Sequence, residues 1–172
     1  MVKLGYSLLL LLIFCIPCIK AQDPVNYAVH ANIIYRFTKY VNWPDSKKSG
    51  DFVIGIVGDT RLYDELKRFV PNKTVGTQKI VLRRLSSSVS KYNCHILFIS
   101  DDARQSLKKI VTATEGEPIL LVSETNGFAG KGSCINFAIA SERLRLEINR
   151  DNIEERGLEI ATELLSLGVI VK

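Results

Sequence analysis

The chain has 172 residues, 47% of them hydrophobic and 24% charged, and a formal net charge of +5. That length and balance suit one domain with a real core. The positive charge is too mild and too scattered for a nucleic-acid-binding stripe, and Lys47-Lys48, Arg83-Arg84 and Lys108-Lys109 read as solvated faces.

The chain opens with Lys3, an apolar run from Leu8 to Cys15 continuing through Ile16 and Ile19, and the small residue Ala21. This is the order of a secretory signal peptide. The twelve residues from Leu8 to Ile19 fall short of the roughly 20 that span a bilayer. Cys15 follows Phe14 and Cys18 follows Pro17, so neither has the small neighbour that lipidation requires. Residues 1–21 are therefore expected to be cleaved, leaving residues 22–172 as one exported domain without membrane insertion. Loss of Lys3 and Lys20 leaves 21 basic against 18 acidic residues, a net charge of +3. Only Cys94 and Cys134 then remain, and the pair either closes one disulfide or stands as two buried thiols. Geometry decides between these.

Pro24 suits a first helical turn, and no glycine or proline interrupts Val25 to Val41. His30, Ile34, Phe37 and Val41 share one helical stripe beside Tyr27, Ala31 and Tyr35, giving a wide apolar face that Trp43-Pro44 ends. Phe52 to Val57 reads as a strand covered on both faces, followed by a helix from about Arg61 to Phe69 with Asp59 or Thr60 as its cap. Lys79 to Leu85 reads as a second strand whose place in the sheet is open. His95 to Ser100 is a strand, Asp101-Asp102 an acidic cap, and about Ala103 to Thr114 a helix. Ile119 to Ser123 is a further buried strand.

Cys134 to Ile139 and Leu144 to Ile148 form a hairpin, and alternation of Leu144, Leu146 and Ile148 with Arg145 and Glu147 suggests a sheet edge. Asn149 caps a helix to about Arg156, and Leu158, Ala161, Leu164 and Leu165 stripe a final helical segment. The expected fold is α/β, a single-domain sandwich with a mixed sheet of five or six strands flanked by helices.

The carboxyl ends of the strands are the usual ligand cleft of such a sheet. They carry Asp59, Asp101, Asp102 and Glu124, which either cap the helices and turns that follow or together offer oxygen ligands to a hard cation. Gly55-Ile56-Val57-Gly58 lies within a strand and is not a dinucleotide fingerprint. Cys94 and His95 are adjacent on a strand and point to opposite faces, against a catalytic dyad. His30 sits on the apolar stripe as a core histidine, and two histidines with two cysteines, scattered, give no zinc pattern. No catalytic residue and no cofactor is indicated. Tyr35, Phe37, Tyr40 and Trp43 fall within nine residues and either fill the core or supply part of a partner or dimer interface.

Tyr27-Ala28-Val29 followed by Phe37-Thr38-Lys39-Tyr40-Val41-Asn42-Trp43-Pro44 resembles the opening of the YfiR family of periplasmic proteins. The likeness continues through Val57-Gly58-Asp59, Lys73-Thr74-Val75, Cys94 to Ile99, Gly127-Phe128-Ala129, Ile135-Asn136-Phe137 and Leu144 to Asn149. The resemblance implies a periplasmic regulator and not an enzyme. Its best understood member is a dimeric, disulfide-dependent repressor that binds the periplasmic part of a membrane diguanylate cyclase and lowers cyclic di-GMP signalling. Other members are expected to serve other membrane sensors, including histidine kinases. Two remaining cysteines carry the redox dependence over poorly. The alternative function is a periplasmic small-molecule or ion binder using the loops after Gly58, Ser100 and Ser123.

Overall fold

The structure, a computed structural model, describes residues 25–172. The expected signal peptide and Pro24 lie outside these residues. Helix α1 (Tyr27–Tyr40) starts at Asn26, whose side chain accepts the Val29 N–H, and buries His30, Ala31, Ile34, Phe37 and Thr38. Its chain runs straight into β1 (Val41–Asn42), then through a polar loop to β2 (Phe52–Val57), buried at every position. Helix α2 (Leu62–Phe69) follows, and the Thr60 hydroxyl accepts the Leu62 N–H at its start. Next come β3 (Thr74–Val75), β4 (Gln78–Leu85) and β5 (Ile96–Ile99).

A 3-10 segment, Asp101–Ser106, leads into α3 (Leu107–Ala113), so the α-helix proper begins later than the apolar pattern suggests. The chain then forms β6 (Leu120–Ser123), β7 (Ile135–Ala140), β8 (Arg143–Asn149) and α4 (Arg150–Glu154). Asn149 caps α4 as expected, its side chain accepting the Asn152 N–H at 3.0 Å. The final helical segment is instead β9 (Glu159–Ile160), the four-residue α5 (Thr162–Leu165) and β10 (Val169–Val171).

The main sheet has eight strands in the order β10-β8-β7-β6-β5-β2-β4-β3. Strands β4, β2, β5, β6 and β7 are mutually parallel, β8 returns antiparallel to β7, and β10 lies parallel to β8. The sheet is mixed, as expected, but wider than five or six strands, because β3 and β10 are too short to register as apolar runs. Strand β8 is an edge only in its first half: β10 covers Glu147–Asn149 and leaves Arg143–Leu146 open on that side, and the alternation reflects one face turned to solvent. A separate ladder joins β1 to β9, pairing Val41 with Ile160. Helix α1 packs on α2 and touches α5, and one continuous core runs between helices and sheet.

Cys94 and Cys134 are two separate buried thiols. Cys94 precedes β5 and Cys134 precedes β7, with β6 between them. Two strand spacings are about 10 Å, beyond the roughly 7 Å that a disulfide tolerates between α carbons. Burial pushes the Cys94 thiol up to about 12 and that of Cys134 up to about 11.

Candidate functional site

At the carboxyl ends of the strands the expected acidic loops do meet. The Asp59 N–H donates to Asp102 Oδ2 at 3.1 Å, and the Asp101 N–H donates to Glu124 Oε1 at 3.1 Å. Asp101 in turn accepts from Thr125 Oγ1 at 2.8 Å and from Arg104 at 2.9 Å. The Tyr27 hydroxyl reaches Glu124 Oε1 at 3.4 Å, which ties the start of α1 to the same knot. Burial raises the affinity of Glu124 for a proton, opposed by the Asp101 N–H. The carboxylates of Asp101, Asp102 and Glu124 thus each hold a neighbouring loop, while that of Asp59 is exposed. Among the described residues no group of three or more His, Cys, Asp or Glu is placed to hold a metal ion.

The aromatic set divides. Phe37 is fully buried and tilts against Phe137, with ring centroids 6.2 Å apart. Trp43 is 5% exposed, stands edge-on to Phe52 at 5.0 Å, and donates its Nε1–H to the His95 carbonyl at 3.2 Å. These two belong to the core and offer a partner almost no area. Tyr35 is half-buried, edge-on to Phe69, with the Lys39 and Lys73 ammonium groups 5.2 and 5.6 Å from its ring centre. Tyr40 is also half-buried and lines a groove of about 710 Å³ with Trp43, Phe52, Val75 and Ile160, at the amino ends of β2 and β4.

The buried histidines serve as structural ties. His95 stacks on Phe52 at 4.3 Å, its Nδ1 accepts the Val53 N–H at 3.0 Å, and its Nε2–H donates to the Lys47 carbonyl at 2.8 Å. That pattern fits one neutral tautomer and leaves no place for a second proton. His30 stacks on Phe137 at 4.3 Å and donates Nδ1–H to the Asn26 carbonyl at 3.1 Å. Burial holds both rings below the ordinary value of 6.5. The unfolded chain therefore binds more protons below that value, and stability is complete above it and falls as pH drops through it. Glu124, shifted up, works in the opposite sense at lower pH. Urea midpoints measured from pH 7.5 to 5 are expected to fall, and His30→Phe is expected to flatten the slope.

Two surface grooves escape sequence reasoning. Val29 and Ile33 on the outer side of α1 face Leu144, Leu146, Leu164 and Leu167 across a groove of about 600 Å³. Between α2 and β4, Lys67, Lys73 and Lys79 surround Ile80 and Leu82 in a groove of about 480 Å³. The one available signal is Arg83-Arg84 inside an apolar strand: charges on successive residues point to both faces, which a central strand does not accommodate.

The YfiR/HmsC-like family pattern matches residues 27–169. The chain belongs to the YfiR/HmsC-like family. The matched span runs from the first residue of α1 to the first residue of β10, so the relationship covers nearly the whole described architecture. Compared with curated proteins, the chain has no match. No helix among the described residues of this YfiR/HmsC-like chain is long and apolar enough to cross a membrane.

Proposed function

We propose that this chain is a non-enzymatic periplasmic regulator that binds the sensor region of an inner-membrane signalling protein, a diguanylate cyclase or a histidine kinase, and lowers its output. The observation that carries this reading is the YfiR/HmsC-like match from α1 to β10. The acidic loops are consistent with it, since Asp102 and Glu124 accept the backbone N–H groups of Asp59 and Asp101. The proposal includes a homodimer as part of the family expectation.

Native pull-down with the exported domain from detergent-solubilised inner membranes tests it. The expected result is recovery of a membrane cyclase or kinase whose output falls when the domain is added back. Recovery of no membrane signalling protein, or of one whose output is unaffected, overturns the reading.

A further inference from the structure

Strand β4, the longest strand among the described residues, has a bare flank over six residues. Over Ile80–Leu85 it pairs with β2 on one side, while β3 covers only Gln78 and Lys79 on the other. Alternate residues of a strand turn their N–H and C=O to each neighbour, so about half of these six point away from β2. Among the described residues no further backbone hydrogen bond takes them up. The side chains are equally incomplete. Ile80, Val81, Leu82 and Leu85 are all only half-buried, whereas β2, β5 and β6 are buried throughout.

The flank is also basic. Lys79, Arg83 and Arg84 are exposed on β4, and Lys67 and Lys73 stand across the groove on α2 and the turn after it. Lys67, Lys73 and Lys79 form no ion pair among the described residues, and no acidic residue lines the groove. Arg84 alone is approached by acids, Asp59 at 3.9 Å and Asp64 at 3.8 Å.

Charges on an edge strand commonly serve only to repel other edges. That role accounts for the arginines but not for a concave groove floored by Ile80 and Leu82. We propose that the β4 edge is a docking site for an extended, acidic segment of the membrane partner, added to the sheet as a further strand. Its backbone bonds the open edge, its alternate apolar side chains enter the groove, and its carboxylates meet Lys67, Lys73 and Lys79. A second copy of this chain is a poor occupant, since two such edges bring like charges face to face.

The inference rests on the regulator reading, and the test separates the two. The probe is a synthetic peptide of alternating glutamate and valine, with a lysine and valine peptide as its counterpart. The acidic peptide is expected to bind the exported chain at least ten times more tightly, and to slow amide exchange within Ile80–Leu85 at least tenfold. Lys79→Glu with Arg83→Glu is expected to weaken binding at least tenfold, and Lys108→Glu with Lys109→Glu on α3 to leave it unchanged. Should the first pair fail to fold, Lys67→Glu on the surface of α2 carries the same expectation. Equal binding of both peptides, no binding, exchange unchanged at Ile80–Leu85, or protection there that depends on protein concentration alone overturns the proposal. A membrane partner captured equally by wild type and by a folded edge variant overturns the edge and leaves the regulator reading standing. Failure to capture any partner, with peptide binding intact, does the reverse.

Discussion

Trp43→Ala is expected to cost about 3–5 kcal/mol of folding stability, the range for removing a large buried aromatic side chain. The indole is 5% exposed and lies against Phe52 and His95. Its removal opens a cavity at the amino end of the sheet and also takes away one of the two donors to the His95 carbonyl, which keeps the Leu120 N–H. Single domains are stable by only about 5–15 kcal/mol, so the loss is a large fraction of the whole. Trp43→Phe keeps most of the packing and is expected to lose clearly less. Trp43 is the chain's one tryptophan, so unfolding of both variants is followed by far-ultraviolet circular dichroism in urea. A stability change below about 1 kcal/mol for the alanine variant contradicts the core role, because that is the range of an exposed position.

The second large effect is expected at Gly58. Its φ of +88° is one that residues with a side chain rarely adopt, and an added Cβ lies 2.1 Å from Ser100 Oγ and 2.8 Å from Ala103 Cβ. Ser100 is fully buried, so its hydroxyl has little room to retreat. Backbone strain of about 1–3 kcal/mol and overpacking of a similar size predict a loss of about 2–5 kcal/mol for Gly58→Ala. Among the described residues the Ser100 hydroxyl is buried without a hydrogen-bond partner, so Ser100→Ala alone is expected to be close to neutral. Combined with Gly58→Ala it removes the nearest clash. A double-mutant cycle by chemical unfolding is expected to show a coupling above about 0.5 kcal/mol, and strict additivity rules the contact out.

The central strands were legible because burial on both faces writes itself as an unbroken apolar run: Phe52 to Val57, Ile96 to Ile99 and Leu120 to Ser123 could hardly be anything else. The hairpin of β7 and β8 was legible through its alternation. The extra width of the sheet was not, since β3 and β10 hold two and three residues and depend on partners far away in sequence. Val41-Asn42 likewise becomes a strand only because Glu159-Ile160 arrives beside it. At the carboxyl ends, sequence put Asp59, Asp101, Asp102 and Glu124 in the loops after three strands and left capping and a shared site both open. It did not show that Asp102 and Glu124 accept hydrogen bonds from neighbouring loops, since that depends on tertiary registration of backbone N–H groups. For the aromatic set, spacing marked Phe37 and Trp43 as apolar area but not the direction they face. The bare flank of β4 was hidden for a related reason, because strand order is a property of the assembled sheet.

The two buried thiols bear on how the domain reaches its folded state. With Cys94 and Cys134 apart and their sulfurs shielded, folding of the described residues does not wait on an oxidase or isomerase to join this pair. Among the described residues the fold therefore holds without a covalent bond between these two sulfurs, and the packing around Cys94 and Cys134 alone keeps each in place.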